Sequence, residues 1–200
     1  MSNGVIIFVE GDTEGEIYNK FRDMLHSMSE SGRFPIDKLI IRNLKGIGNY
    51  KNRAIRVFTK EILSKNPDIE FDIFLCYDTD VFDFSPNPPV DWDEVENSLK
   101  ASGARSVSHI KARHSIEDWI MHDIEGICNY LKLPENTKLN GGNGLKKIEY
   151  LFKKANKVYV KGSKIKGLVD SLDIRKIMCN SCSQLKSLCK KLGVNCKTKK

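Results

Sequence analysis

Short, almost wholly apolar runs separated by amphipathic segments constrain the fold of this chain most. Residues 5–9 are VIIFV and residues 71–77 are FDIFLCY. Strands with so little alternation are buried on both faces, which is typical of parallel sheets covered by helices. The alternation of such runs with helical patterns therefore predicts an α/β fold, with a mainly parallel sheet flanked by helices.

The same patterns predict the individual elements. Strands are expected at residues 5–9, 37–44, 71–77 and 104–112, and helices at residues 14–28, 50–64, 93–101 and 115–131. Beyond residue 140 the pattern changes. Helices are expected there at residues 145–155, 165–172 and 173–192, around one short strand at residues 157–162.

Charge is distributed very unevenly along the 200 residues. Residues 141–200 hold 16 Lys and Arg against 3 Asp and Glu, a net of +13. Residues 1–140 hold the other 17 basic and 23 acidic residues, a net of −6. The acidic part could gather cations while the basic part attracts a polyanion such as nucleic acid. A lysine-rich surface that only faces solvent is the alternative.

Hydropathy and cysteine usage indicate the compartment. No run approaches the ~18 apolar residues of a membrane span, and the first residues do not resemble a secretory signal. We therefore expect a cytoplasmic protein without membrane contact, with reduced cysteines. The spacing of Cys179, Cys182, Cys189 and Cys196 suggests zinc. However, apolar residues recur at helical spacing over residues 174–192, so we interpret these cysteines as part of a helix core.

Carboxylates follow three of the predicted strands at the point where each ends. Glu10 follows the first strand, Asp78 and Asp80 follow the third, and Ser115 and Glu117 follow the fourth. Parallel sheets bind ligands outside the carboxyl ends of their strands. Gathered carboxylates must be protonated or matched by cations, and oxygen ligands alone select hard divalent ions. The sequence therefore predicts a Mg²⁺ or Mn²⁺ site, whereas each acid alone could be a turn or cap residue.

Two of these motifs carry a family resemblance. FVEGDTE, followed later by YDTD, resembles the Toprim domain, whose signature is a strand-end Glu-Gly and a later Asp-x-Asp. EGDTE and RHSIEDW are most similar to the OLD branch of nucleases. Small stand-alone relatives include RloB-like abortive-infection proteins and toxins of phage-defence systems. The resemblance covers about residues 4–165, so we expect a Toprim-like catalytic domain at residues 1–165 and a helical, basic extension packed on it at residues 166–200.

The resemblance implies a role for each matching residue. The implied metal ligands, for two Mg²⁺ or Mn²⁺ ions, are Glu10, Glu14, Asp78, Asp80, Ser115 and Glu117. Glu10 also resembles the general base of the family. Lys161 is the best-placed counterpart of a late lysine that acts near the scissile phosphate, and Lys164 is the second choice. Glu10 and Lys161 are therefore the expected catalytic residues.

Further basic residues are expected to contact nucleic acid. KGIGNYKN brings Lys45, Lys51 and Arg53 near glycines, where exposed N–H groups could also bind phosphate, although a simple flexible loop is an alternative. His114 lies beside the predicted site in the sequence. The remaining expected contacts are Lys146, Lys147, Lys153, Lys154 and Lys164.

The resemblance implies a divalent-metal-dependent nuclease that cleaves DNA or RNA, including tRNA, as a toxin or effector of anti-phage defence. OLD proteins carry an ATPase domain, and this chain has no GxxxxGK[ST] loop. The expected partners are therefore nucleic acid, a separate ATPase or inhibitor protein, and a second copy in a homodimer. Two alternatives stay open. One is a non-catalytic nucleic-acid-binding or regulatory module, and the other is a haloacid-dehalogenase-like phosphatase in which Asp78 of DTDVF is the nucleophile.

Overall fold

A four-stranded parallel sheet is the centre of the structure. This computed structural model describes residues 2–29, 36–80, 90–163, 165 and 167–194. The strands are β1 Ser2–Val9, β2 Lys38–Asn43, β3 Ile69–Asp78 and β4 Ser106–Ala112, in the order β2-β1-β3-β4. All neighbouring pairs are parallel, which confirms the predicted α/β fold. Because β1, β3 and β4 are neighbours, the strand ends that precede the predicted acids lie side by side.

Helices follow each strand, as the sequence patterns predict. They are α1 Asp12–Ser29, α2 Trp92–Ala101, α3 Ile116–Ile120, α4 Ile124–Leu131, α5 Gly144–Lys154, α6 Leu168–Ser171, α7 Ile174–Asn180 and α8 Cys182–Lys191. A further helical segment covers residues 47–65, with wide π-type turns at Tyr50–Ala54 and Val57–Ile62 between 3₁₀ turns at its ends. None of the described helices combines the length and apolar character that a membrane span needs.

Helices cover both faces of the sheet. Alternation along β1 points Val5, Ile7 and Val9 to one face and Ile6 and Phe8 to the other, and all five side chains are fully buried. The first face packs against α1 and α3–α8, and the second against α2 and the helical segment at residues 47–65. The result is a three-layer arrangement in which the sheet is buried on both sides, as its continuous apolar strands predict.

The C-terminal helices share the larger of these two cores. Ile177, Leu185 and Leu188 are fully buried in the cluster that contains the first face of the sheet. Cys182 and Cys189 are buried in the same region. This confirms that these two belong to a helix core. Cys179 is exposed, which corrects the expectation for that residue, and Cys196 lies outside the described residues.

Three predicted elements differ from the structure. The long helices expected at residues 115–131 and 173–192 are each interrupted, the first by a 3₁₀ turn at Met121–Asp123 and the second at Ser181. The short strand expected at residues 157–162 is wrong, because residues 157–160 are not part of any strand. The alternating residues of that segment have different surroundings. Tyr159 is buried and faces the site described next, whereas Val158 is exposed.

Candidate functional site

A cleft of about 480 Å³ opens at the carboxyl ends of β1 and β3. Its described lining consists of Glu10, Gly11, Asp12, Glu14, Lys45, Gly46, Asp78, Glu117, Lys161, Gly162 and Ser163. Parallel α/β sheets bind their ligands at this edge. Four of the predicted metal ligands and the predicted catalytic lysine therefore line one cleft.

The turn after β1 brings the first two acids together. Glu10 follows the strand, and Glu14 lies in the first turn of α1. A Cβ atom added to Gly11 would lie 2.6 Å from Glu14 Oε2. The sequence suggests that glycine is needed here for a sharp turn, but Gly11 does not have the positive φ of such a turn. The close approach of the Glu14 carboxylate is the structural reason for a glycine.

The end of β3 brings both aspartates to Lys161. The Ile116 N–H donates to Asp78 Oδ1 at 2.9 Å, which joins the end of β3 to the start of α3. The backbone hydrogen bonds between the chain after β3 and the chain after β4 continue to Asp80, because the Asp80 N–H donates to the His114 carbonyl at 2.9 Å. Lys161 Nζ lies 3.2 Å from Asp78 Oδ2 and 2.6 Å from Asp80 Oδ2. Asp78 and Asp80 therefore point to the same side, as strand alternation predicts.

Tyr159 is a site residue that the sequence interpretation missed. Its hydroxyl donates to Glu117 Oε1 at 2.7 Å, and Glu117 is fully buried. Tyr159 and Lys161 are two residues apart, and both side chains contact the acids. The alternation of apolar and polar residues in KVYVKG could have indicated this residue. In a strand-like segment, the side chain two positions before Lys161 points to the same face as Lys161.

Several carboxylate oxygens at the site have no hydrogen-bond partner among the residues that the structure describes. They are Glu10 Oε2, Glu14 Oε2, Asp80 Oδ1 and Glu117 Oε2, each of them buried. Buried polar atoms are nearly always satisfied, so four such oxygens in one neighbourhood indicate a place for protons or cations. By donor chemistry these residues fit Mg²⁺ or Mn²⁺.

The side chains are not arranged as a finished metal centre. Among the described residues, no three His, Cys, Asp or Glu side chains form a group that could hold one ion. The ammonium of Lys161 is instead the positive charge between Asp78 and Asp80. A cation that binds both aspartates would therefore compete with this lysine.

Burial and mutual repulsion shift the acids towards their protonated forms. Burial, followed by the charge of Glu10, raises the pKa of Glu14 to about 7. Burial, followed by the charge of Glu14, raises the pKa of Asp78 to about 8. Burial also raises the pKa of Glu10, although Lys161 opposes this shift. Burial alone would lower the pKa of Lys161, but the hydrogen bond to Asp80 and the charge of Asp78 raise it above its ordinary value. The lysine therefore stays charged, while burial and repulsion favour the protonated forms of Glu14 and Asp78 near neutral pH.

Two predicted residues lie close to the cleft without lining it. The Ser115 hydroxyl is 3.5 Å from Asp118 Oδ2, so the predicted metal ligand is directed towards α3. His114 is exposed and adopts a positive φ of 64°. Because its carbonyl accepts from Asp80, the backbone of His114 is beside the acidic pair.

The predicted phosphate-binding loop divides into separate parts. Lys45 lines the cleft and forms a 2.5 Å ion pair with Asp12, the first residue of α1. Lys51 instead pairs with Glu94 at the start of α2 at 2.8 Å. Arg53 is partly buried, and its Nε atom has no hydrogen-bond partner among the described residues.

The predicted lysines on α5 are spread over its length. Lys146 pairs with Glu149 at 2.9 Å, while Lys153 and Lys154 lie in the last turn. The start of the helix is close to Glu117, because the Gly144 N–H donates to Asp118 Oδ1 at 2.8 Å. An 11-residue helix is about 16 Å long, so Lys153 and Lys154 lie towards the end of α5 opposite to the Asp118 contact. Lys164 lies outside the described residues.

The fold and the cleft define an α/β protein with an acidic site at the carboxyl edge of a parallel sheet. Comparison with protein-family models gives no match. Comparisons with curated proteins and with solved structures give no match either. The functional argument therefore rests on the residues of this site.

Proposed function

We propose that the protein is a divalent-metal-dependent nuclease of the Toprim type, which hydrolyses phosphodiester bonds of DNA or RNA. One observation carries the proposal: Glu10, Glu14 and Glu117, which line a cleft together with Lys161, each have a buried carboxylate oxygen with no hydrogen-bond partner among the described residues. Asp80, which pairs with Lys161, has a fourth such oxygen. Acids that only stabilised turns would have their oxygens bonded to backbone N–H groups, as Asp78 Oδ1 is. The proposal includes a role as a toxin or effector of anti-phage defence, controlled by a separate ATPase or inhibitor protein.

The chemistry divides among the side chains. Glu10, Glu14, Asp78, Asp80 and Glu117 would hold the cations. When bound, Mg²⁺ or Mn²⁺ ions neutralise charge on the phosphate and lower the pKa of an attacking water. Glu10 Oε2 is the atom that would accept the proton of that water, and the raised pKa of Glu10 makes it a better base near neutral pH.

The lysine and the tyrosine support these acids. Lys161 remains charged, because the neighbouring aspartates raise its pKa against the effect of burial. Its ammonium would therefore stabilise negative charge that develops on the phosphate. Tyr159 holds Glu117 Oε1 and so leaves Oε2 for a cation.

Cleavage is expected to require a divalent cation. The purified chain is incubated with duplex DNA, single-stranded DNA, tRNA and total RNA, each with Mg²⁺, Mn²⁺ or EDTA, and the cleaved ends are sequenced. We expect new ends with Mg²⁺ or Mn²⁺ and none with EDTA, because unmatched carboxylates at the cleft repel a phosphate. Equal cleavage in EDTA, or no cleavage of any substrate, would contradict the proposal.

The same samples separate the two alternatives. A non-catalytic module would bind these nucleic acids without producing new ends. A phosphatase that uses Asp78 as a nucleophile would hydrolyse p-nitrophenyl phosphate and leave the internal bonds of the nucleic acids intact.

Lys161 and the lysines of α5 are expected to affect different kinetic parameters. Lys161→Ala should lower kcat more than substrate affinity, because the ammonium acts mainly on charge in the transition state. Changing Lys146 and Lys147, or Lys153 and Lys154, to Gln should weaken binding. It should also flatten the slope of log K against log salt by about 0.7 to 0.9 for each lost phosphate contact.

The matched charge control changes Lys60 and Lys65 to Gln. Both are exposed, and both belong to the helical segment on the other face of the sheet. We expect this variant to keep the salt slope of the wild type. If the α5 pairs also keep it, the lysines of α5 face solvent and another surface binds the nucleic acid.

A further inference from the structure

The segment at residues 157–161 has two different faces. Tyr159 is buried against Glu117, and Lys161 contacts the aspartates. Val158 and Val160, which alternate with them, are 82% and 53% exposed. No other large hydrophobic residue in the described parts of the chain is exposed. Two adjacent valines on one exposed face therefore stand out from an otherwise polar surface.

The backbone N–H groups of this segment are also unpaired between two anchored ends. The Lys157 N–H donates to the Phe152 carbonyl at 2.8 Å, and the Asp12 N–H donates to the Gly162 carbonyl at 3.3 Å. Between these points, the N–H groups of residues 158–161 donate to no described backbone carbonyl, while the Val160 carbonyl accepts from the Ser163 N–H at 3.2 Å. A segment outside the sheet with unpaired N–H groups can pair with a strand added by another chain.

The charges around the valines favour an acidic occupant. The exposed lysines that precede them, and that form no ion pair with the acids of the cleft, are Lys153, Lys154 and Lys157. In a second copy, pairing of the two segments would bring the same basic residues of both chains together, and like charges close to each other are destabilising. Phosphates of nucleic acid would suit the lysines but would leave the two valines uncovered.

We propose that residues 157–161 are a docking edge for an extended acidic segment of a protein partner. Its backbone would pair with the free N–H groups, its apolar side chains would pack on Val158 and Val160, and its carboxylates would pair with the lysines that precede the valines. Because Tyr159 and Lys161 belong to the same segment, docking would also fix the two side chains that contact the acids of the cleft. This regulatory consequence rests on the proposed nuclease function, whereas docking itself does not.

A selection from random peptides tests the docking edge. Ten-residue peptides displayed on phage are selected against the full chain, and the enriched peptides are synthesised with a fluorescent label. We expect enriched sequences to alternate β-branched residues with Asp or Glu. Their affinity, measured by fluorescence anisotropy, should fall about tenfold or more for the double variant Val158→Ser, Val160→Ser. Replacing alternate peptide amides by esters, whose carbonyls are weaker hydrogen-bond acceptors, should weaken binding by a similar factor.

The controls distinguish the occupants. The variant Val158→Ile, Val160→Ile keeps the apolar strip and should keep peptide binding, and equal melting temperatures would show that neither variant affects folding. Peptides without acids, no enrichment, or an unchanged affinity for the serine variant would overturn the proposal. A dimer that the serine variant abolishes would assign the surface to a second copy, and a loss of RNA or DNA binding would assign it to nucleic acid. Mn²⁺ binding measured on the same variants tests the cleft separately, so the two proposals can fail independently.

Discussion

Replacing Glu10 by Gln is expected to abolish cleavage while the protein stays folded. The amide has nearly the shape of the carboxylate, but it cannot accept a proton from water or supply a negative ligand to a cation. Glu10 Oε2 is buried without a hydrogen-bond partner, so the fold does not depend on a contact from this atom. We expect kcat/KM to fall roughly a thousandfold or more, which is comparable to the loss of one essential charge-stabilising group. Cleavage kinetics with Mg²⁺ measure the effect.

The fold and the metal site provide separate controls for Glu10→Gln. Glu61→Gln changes an exposed acid on the helical segment at residues 47–65 and should leave cleavage unchanged. The Glu10 variant should also bind Mn²⁺ more weakly in calorimetry. A phosphatase with Asp78 as its nucleophile would not depend on Glu10. Full nuclease activity in Glu10→Gln would therefore exclude Glu10 as base and ligand.

The sheet could be predicted from the sequence because its signals are local. The apolar runs in β1 and β3 identify strands that are buried on both faces, and their alternation with helical patterns identifies the parallel sheet. The break before α4 has a tertiary cause. Asp123, at the break before α4, accepts from the Asp173 N–H at 2.8 Å and from Lys176 Nζ at 3.1 Å. These partners are about fifty residues away in the sequence, so no local pattern indicates them.

The part of the candidate site that lies directly at the strand ends could be predicted from the sequence. Glu10 and Asp78 follow neighbouring strands, and the general rule for parallel sheets brings them to one edge. Ser115 is at the same edge, but its hydroxyl lies near Asp118, a rotamer choice that sequence spacing does not determine. Tyr159 was not predicted as a site residue, because the sequence pattern predicts a short strand at residues 157–162. The segment instead lies beside the acids of the cleft. Contacts with Glu117 and Asp80, rather than hydrogen bonds between strands, determine the direction of the Tyr159 and Lys161 side chains.

Replacing Asp78 by Asn is expected to separate catalysis from stability. Cleavage should be lost, because the variant lacks one of the charges that hold the cation. The Asn side-chain oxygen can still accept from the Ile116 N–H, the contact that joins β3 to α3. Without divalent cations, the melting temperature of Asp78→Asn should therefore equal or exceed that of the wild type, because a buried, repelled carboxylate has been removed.

The raised pKa of Asp78 determines the direction in which the stability of the protein should change with pH. Burial and the neighbouring acids raise the pKa of Asp78 from 3.8 to about 8. Between these values the folded protein holds a proton that the unfolded chain releases, so the free energy of unfolding falls as pH rises. At pH 5 most of this decrease in the free energy of unfolding has not yet occurred, and at pH 8 the decrease is nearly complete. Each pKa unit corresponds to about 1.4 kcal/mol. Asp78→Asn should therefore show a flatter decline of melting temperature between pH 5 and pH 8.

Divalent cations should reverse this decline in the wild type more than in the variant. A cation binds the ionised carboxylates, so added Mn²⁺ should stabilise the wild type more at pH 8 than at pH 5. Asp78→Asn lacks one of these charges and should gain less at pH 8. Asp68→Asn, which changes an exposed acid before β3, should behave like the wild type in both series. If Asp78→Asn instead melts many degrees lower at every pH, the carboxylate is a structural hydrogen-bond partner. The unpartnered oxygens of Glu10, Glu14 and Glu117 would then have to hold a cation without it.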